Sequence, residues 1–416
     1  MKDLYGSVTL PASKSESNRA LMVAAYGGFH PTIDNLSDAH DTLLLQALLA
    51  RIESHEGEEL LELDCEDAGT AARFLLTFVA ARPGTWRLTG TERMCQRPMQ
   101  ALVDALRTLG ADIICERREG FLPMRVKGKP LKGGALTIDG SRSSQFVSSL
   151  MLAAPMWQEG LELHYQGEVV SQPYIHLTVE VMRHFGAKVA ATAHGVKVSP
   201  SPYTPALFKV GGDWTSASYW YEMASISHRS ELVLNGLDWD SPQGDKMARD
   251  YFALMGVASQ RLEHGVRLVK KEGVRANTAQ APLVFDFTHC PDLFPAVFVA
   301  CVANNCPSLC GGVQNLVWKE SNRVDAILAE LSKCYTLLYN RTSDKVELIQ
   351  SCIYLDKIND NEVIFNTFSD HRIALALSAL ALEFGKVRFD QPQVVKKSYP
   401  NYWDDFQLIT EHNILI

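Results

Sequence analysis

One phrase of sequence recurs along the chain and limits the possible folds more than any other feature. Leu102-Val103-Asp104-Ala105-Leu106-Arg107-Thr108-Leu109 has the spacing of an amphipathic helix. Gly110 closes it, and Ala111 to Val126 reads as a hairpin turning near Gly120. The phrase returns at Val179 to Phe185 with Gly186 and a hairpin turning at His194-Gly195. It returns again at Ala248 to Met255 with Gly256 and a hairpin turning at His264-Gly265. The three closing glycines are separated by 76 and 70 residues. Glycine after the last helical turn fits a left-handed cap. A weaker copy runs from Val324 through Leu331 into Cys334 to Ile349, and a further copy is expected from Asp41 through Arg51 to Cys65. Units of this length are βαβ-type modules of an α/β fold, too long for a short-period solenoid. At 416 residues the chain exceeds one compact core, so two domains are expected.

A second pattern concerns how helices begin. Pro11-Ala12-Ser13-Lys14-Ser15-Glu16-Ser17-Asn18-Arg19-Ala20 joins a short strand, Ser7 to Leu10, to the apolar helix that continues from Ala20 to Ala25. Asp67-Ala68-Gly69-Thr70, Ser143-Ser144-Gln145, Gly212 to Ser218 and Ser369-Asp370-His371-Arg372 likewise precede apolar runs. Each is explicable as an N-cap. Lysine or arginine recurs in or near these first turns, where the helix dipole disfavours cations. Several helix mouths around bound anions account for them together. The net charge of −8 argues against nucleic acid or an anionic membrane as partner, while leaving room for a small anionic substrate. The nine cysteines are scattered, with no CxxC pair or zinc-like spacing, so reduced thiols and no metal are expected. No apolar run reaches the length of a membrane span, and the early strand leaves no place for a targeting peptide, so a cytoplasmic location is expected.

The marks continue in order almost to the C-terminus. They include Lys14-Ser15 with Arg19, Asp67-Ala68-Gly69-Thr70 with Arg73, and Gln96-Arg97-Pro98. Ser143-Ser144-Gln145-Phe146, Val170-Ser171-Gln172-Pro173-Tyr174 and Gln243-Gly244-Asp245 follow. Pro291-Asp292, Asn315 with Lys319-Glu320 and Arg323, Asp370-His371-Arg372, and Lys397 with Tyr399-Pro400 complete the series. In this collinear set the chain resembles the 3-phosphoshikimate 1-carboxyvinyltransferase (EPSP synthase) family.

The resemblance implies a two-domain inside-out α/β barrel, each domain built of three repeated βαβαββ-type units. It implies boundaries at residues 12–210 for the first domain and 1–11 with 211–416 for the second, with the active site in the cleft between them. The implied reaction moves the enolpyruvyl group of phosphoenolpyruvate to the 5-hydroxyl of shikimate-3-phosphate and releases phosphate. No cofactor is implied, the molecule is expected to be a monomer, and glyphosate is the expected inhibitor.

Residue by residue, the resemblance makes Asp292 the base on the 5-hydroxyl, and Glu320 with Lys14 the proton donor or relay. Lys14, Ser15, Arg19, Ser143, Ser144, Gln145, Ser171, Tyr174, Asp292, Asn315 and Lys319 are the implied shikimate-3-phosphate contacts. Lys14, Gly69, Arg97, Gln145, Glu320, Arg323, His371, Arg372 and Lys397 are the implied phosphoenolpyruvate contacts. Two phosphates and two carboxylates demand such a density of cations and hydroxyls around an acid–base pair. Read alone, Asp292 is equally a helix cap, and the serines before Phe146 are more often a cap than a phosphate site. Arg323 follows Lys319 by four residues on an expected helix, so the two are expected to share one face with an anion or Glu320 between them.

Three positions depart from the family pattern: Asp67 where many relatives carry asparagine, Phe74 where many carry proline, and the bulky Trp318 before Lys319. None removes a catalytic group, so they bear on affinity and inhibitor response. A sister enolpyruvyl transferase acting on UDP-N-acetylglucosamine carries a cysteine several residues ahead of its loop arginine, whereas here Cys95 is two residues before Arg97. An RNA-phosphate cyclase of related architecture would need a basic face, which a net charge of −8 opposes. A non-catalytic relative would not retain Lys14, Asp292 and Glu320.

Overall fold

The computed structural model describes residues 3–30, 32–56, 59–141, 143–192, 194–273, 281–353 and 362–410. The chain forms two compact units, one of Ser13–Val210 and one of Met1–Ala12 with Gly211–Ile416. Strand β1 (Leu4–Thr9) belongs to the latter. The Ser13–Val210 unit opens with α1 (Lys14–Gly27), β2 (Thr32–Asp34) and α2 (His40–Glu53). Two βαβαββ modules follow. The first is β3 (Leu60–Asp64), α3 (Gly69–Ala80), β4 (Gly84–Thr89), the single turn α4 (Glu92–Cys95), α5 (Gln100–Thr108), β5 (Asp112–Cys115) and β6 (Met124–Gly128). The second is β7 (Gly134–Asp139), α6 (Ser144–Ala153), β8 (Leu161–Gln166), α7 (Gln172–His184), β9 (Val189–Thr192) and β10 (Gly195–Val198). Finally β11 (Leu207–Lys209) pairs parallel with β2.

The other unit repeats the plan. Its first module takes β1, then α8 (Trp214–Ile226), β12 (Ser230–Asn235), α9 (Ala248–Ala253), β13 (Ala258–Leu262) and β14 (Gly265–Lys270). The whole of Ser13–Val210 is thus inserted between a strand and its crossover helix. The next module is β15 (Leu283–Asp286), α10 (Phe294–Ala303), β16 (Ser308–Gly311), α11 (Arg323–Leu331), β17 (Tyr335–Arg341) and β18 (Lys345–Ile353). The last contains β19 (Glu362–Phe365), α12 (His371–Ser378), α13 (Ala381–Phe384), β20 (Lys386–Phe389) and α14 (Tyr402–Thr410).

Every four-stranded sheet has the same wiring: one parallel pair, then two antiparallel pairings, as in β3-β4-β6-β5 and β15-β16-β18-β17. The expected module is therefore present four times. The third module of each unit keeps only a parallel pair among the described residues, β2 with β11 and β19 with β20. Gly110, Gly186 and Gly256 have φ of 94°, 87° and 89°, the left-handed region the repeat required. The copy expected from Asp41 to Cys65 does not turn into a hairpin. There β3 pairs parallel with β4 across α3, because the chain enters a crossover rather than a tight turn.

The helices form the interiors. Every residue of α8 and α12 is buried, and both pack on α10, whose sequence is apolar on all sides. In the Ser13–Val210 unit, α1, α3 and α6 pack on one another, with α7 against α1 and α6. The sheets lie over these helices with alternating inward and outward residues, as in β14. This is an inside-out arrangement in which helices, not strands, make the core. No helix of the described residues is long and apolar enough to cross a membrane. All nine cysteines are free thiols.

Candidate active site

In the Ser13–Val210 unit the expected residues collect at helix N-termini. Lys14 is the first residue of α1, capped by the Ser13 hydroxyl, which accepts from the Glu16 amide. The Lys14 ammonium donates to the Asp41 carboxylate, 2.9 Å away, in the first turn of α2. A chain-borne anion therefore answers the cation that the helix end disfavours. Sequence inspection gave Asp41 no role, because an acid in a first turn reads as ordinary dipole compensation.

Arg19 is 2% exposed and anchored on three helices. Its Nε donates to Thr178 Oγ1 (2.7 Å), and its Nη atoms donate to the carbonyls of Ser15 and Tyr174 and to Ser148 Oγ. Its guanidinium lies 5.7 Å from the Phe74 ring and 6.0 Å from the Tyr174 ring. Phe74 is thus a packing surface for Arg19. Burial lowers the Arg19 pKa to about 10, opposed by Tyr174 and Glu16.

Gly69 begins α3, and Arg73 Nη1 donates to its carbonyl at 2.7 Å. A methyl group on Gly69 would meet Arg73 Nη1 at 2.5 Å and Arg97 Nη1 at 2.6 Å. Arg97 is 6% exposed rather than a surface residue, and its Nη1 donates to the Asp67 carbonyl at 3.4 Å. Gln145, on α6, donates to Thr70 Oγ1 on α3 at 3.0 Å. Ser143 does cap α6, accepting from the Gln145 amide, while Ser144 is buried in its first turn. Ser171 stands at the head of α7 with φ 53°, a left-handed conformation uncommon for serine, and makes no side-chain cap. Its carbonyl accepts from the Tyr174 amide.

In the other unit the expected carboxylates and cations form one network. Asp292 lies in the 3-10 turn Pro291–Leu293 that leads into α10. Its Oδ1 accepts from Arg323 Nη1 (2.6 Å) and Lys319 Nζ (3.1 Å), and its Oδ2 from Arg372 Nη2 (2.8 Å). It caps nothing. Burial would raise its pKa, but Arg372, Lys319 and Arg323 overcome that and hold it well below the usual carboxylate range. Burial lowers the Lys319 pKa, opposed by Asp292. Arg323 Nη2 donates to Glu320 at 2.7 Å.

Lys319 and Arg323 do not share a helix. The turn Gln314–Trp318 ends at an extended Lys319, and α11 begins at Arg323, so Asp292 rather than helical spacing brings the two cations together. Asn315 lies in that turn, and the bulk of Trp318 is 46% exposed.

Asp370, fully buried, ties this network to α12. Its carboxylate accepts from Arg323 Nε (2.8 Å), Ser321 Oγ (3.0 Å) and the Arg372 amide (3.0 Å), capping the helix. Phe368 and Ser369 before it are both left-handed, with φ of 53° and 54°. Such consecutive non-glycine residues hold strain that packing must offset. His371 is buried beside Asp370, Nδ1 to Oδ1 3.6 Å. Arg372 Nη1 donates to the Tyr219 hydroxyl at 3.3 Å, from inside α8. Lys397 ends the turn Pro392–Lys397, which packs on α12. Asp245, hydrogen-bonded by Thr215, has its pKa pushed up to about 6 by burial and by Asp292. The sequence reading had Asp370 only as part of a helix cap beside His371, and gave Tyr219 and Asp245 no role of their own. Asp370 and Asp245 stood inside recognised motifs, but a buried partner on a distant segment leaves no local signature.

The described residues contain no group of three or more His, Cys, Asp or Glu side chains able to hold a metal ion. The chemistry available is that of paired carboxylates among guanidinium and ammonium groups in one unit, with helix mouths carrying cations and hydroxyls in the other.

The sequence profile of the EPSP synthase (3-phosphoshikimate 1-carboxyvinyltransferase) family matches residues 1–406. A 3-phosphoshikimate 1-carboxyvinyltransferase of Bacteroides fragilis is 40% identical over 412 residues, covering 97% of this chain and 95% of the relative. One from Methanospirillum hungatei is 30% identical over 430 residues, covering 98% and 97%. Among solved structures, the EPSP synthase of Acinetobacter baumannii superposes with a TM-score of 0.70 at 20% identity, over 96% of this chain and 94% of that one. The likeness to that structure speaks for the fold, and the nearly full-length profile and the 40% identity speak for descent: the chain belongs to the EPSP synthase family.

Proposed function

We propose that the Asp292 network runs the chemistry of the reaction and that the helix mouths of the Ser13–Val210 unit hold shikimate-3-phosphate. The reaction is the EPSP synthase one: the enolpyruvyl group of phosphoenolpyruvate is transferred to the 5-hydroxyl of shikimate-3-phosphate, and phosphate leaves. In the addition step the 5-hydroxyl oxygen bonds to the central enol carbon, its proton passes to Asp292, and the methylene carbon gains a proton from Glu320 or Lys14. In the elimination step the bond between that carbon and the phosphate oxygen breaks, the departing phosphate takes up the proton held by Asp292, and the methyl carbon returns its proton to the group that supplied it, which restores both.

The observation that carries this reading is the threefold clamp on Asp292 by Arg323, Arg372 and Lys319. So clamped, Asp292 is ionised but a feeble base. Phosphoenolpyruvate brings anionic phosphate and carboxylate groups that suit the same guanidinium forks. As the ligand draws on Arg372 and Arg323, the cations release Asp292, and its proton affinity rises when the hydroxyl is at hand. Lys397, Arg97 and His371 serve the leaving phosphate; Gly69 permits close backbone approach. Ser143, Ser144 and Ser171 receive the shikimate phosphate, Arg19 and Ser15 its polar groups, Tyr174 its ring, and Asn315 and Lys319 its hydroxyls, while Gln145 bridges both ligands. These residues come from both units, so turnover requires the two units to act together.

Asp292→Ala tests the assignment. Loss of a general base costs about 10²–10⁴-fold in turnover. Calorimetric binding of shikimate-3-phosphate is expected to persist; near-normal turnover removes Asp292 from the role.

A further inference from the structure

We propose that Asp41 is a positioning residue for Lys14, holding the ammonium at the mouth of α1 for the reaction. This rests on the reading above, in which Lys14 touches the substrates. Lys14 occupies the first position of α1, where the unpaired amides and the dipole oppose a cation. Asp41 occupies the first turn of α2, where the same two effects favour a carboxylate. The two helices pack together, and the ion pair closes across them at 2.9 Å. Both side chains are largely out of solvent, 14% exposed for Lys14 and 4% for Asp41, so the pair is little screened. One helix end thus stabilises the anion that lets the other helix end carry a cation.

The charged or titratable groups near this end of the packed elements are Glu16 and Arg19 on α1, His40 on α2 with its partner Glu66, Arg73 on α3, and Tyr174 on α7. Helix α6 contributes none. Among the described residues, the Lys14 ammonium forms its ion pair with Asp41. Removing that charge leaves the lysine facing a helix end that repels it, so the ammonium is no longer held in place.

The test is kcat for wild type, Asp41→Asn, Asp41→Glu, Lys14→Met and the pairs Asp41→Asn/Lys14→Met and Asp41→Glu/Lys14→Met. Asp41→Asn is expected to lower kcat about 10- to 100-fold and to add little in the Lys14→Met background, as coupled neighbours do. Asp41→Glu, which keeps the carboxylate, is expected to recover most of the loss. A cooperative urea unfolding transition certifies that each variant is folded. If Asp41→Asn fails that check, Asp41→Glu decides alone: near-wild-type kcat supports the pairing, and a turnover loss of equal size in the Lys14→Met background overturns it. Equal losses from Asp41→Asn with and without Lys14 overturn the inference. Full activity in Lys14→Met would instead remove Lys14 itself from the mechanism, a separate failure.

Discussion

Two aspartates meet Arg323, and their surroundings give them different work. Asp370 has no solvent exposure and spends its oxygens on Arg323, Ser321 and the amide of Arg372, so it fixes geometry. Asp292 accepts its hydrogen bonds from three cationic side chains, so an incoming anion that draws on those cations changes its charge balance. Its depressed pKa also has a stability consequence. The contribution is present above the ordinary aspartate value and is lost as pH falls through the depressed one. Gly69 shows how a residue without a side chain acts. The volume a methyl group would take is held by the guanidinium tips of Arg73 and Arg97. Gly69→Ala therefore displaces Arg97, a proposed phosphoenolpyruvate contact. It is expected to raise the KM for phosphoenolpyruvate and to weaken inhibition by glyphosate, the longer ligand, more strongly. Inhibition measured against varied phosphoenolpyruvate at saturating shikimate-3-phosphate checks this; equal losses contradict it. At this scale the chain was legible where placement is local, as for Lys14 and Gly69 in the first turns of α1 and α3. It was not legible where a partner arrives from afar, as Asp41 does for Lys14 and Tyr219 for Arg372.

Among the elements, α8 carries a tension that packing alone explains. Glu222 lies inside it, fully buried, with neither carboxyl oxygen hydrogen-bonded. Burial lifts its pKa well above the ordinary carboxylate range, so the side chain sits protonated in the core. A raised folded value means that its contribution is fully present below the unfolded glutamate value. It is lost as pH rises through the folded one, since the unfolded chain then ionises freely. Glu222→Met is expected to add about 1–3 kcal/mol of stability at pH 8 and less at pH 5. Urea denaturation at the two pH values measures it; a variant less stable than wild type at pH 8 contradicts it. The stretch after Gly212 to Ser218 reads in the sequence as an apolar helix, and nothing in it singles out Glu222, whose burial follows from packing on every side of α8. Likewise the four-residue spacing of Lys319 and Arg323 suggested one helix, whereas the chain is extended at Lys319 and the pair meets through Asp292. Spacing reports neighbours along an element and is silent once the element breaks.

For the whole molecule, the period of about 70 to 76 residues between closing glycines was the legible part, because each module needs the same left-handed turn before its hairpin. The two-stranded third modules, β2 with β11 and β19 with β20, escaped it for want of a hairpin. The insertion of Ser13–Val210 between β1 and α8 escaped periodicity too, since β1 meets β12 more than 200 residues away. In the proposed function, the cations of both units serve the two substrates, each anionic in its phosphate and carboxylate, so neither substrate alone is expected to suffice for reaction. Phosphate release with phosphoenolpyruvate alone, with shikimate-3-phosphate alone and with both together tests this most directly. Release that requires both, and persists after dialysis against a chelator, is the predicted result. Equal release from phosphoenolpyruvate alone, or none with both, contradicts the account.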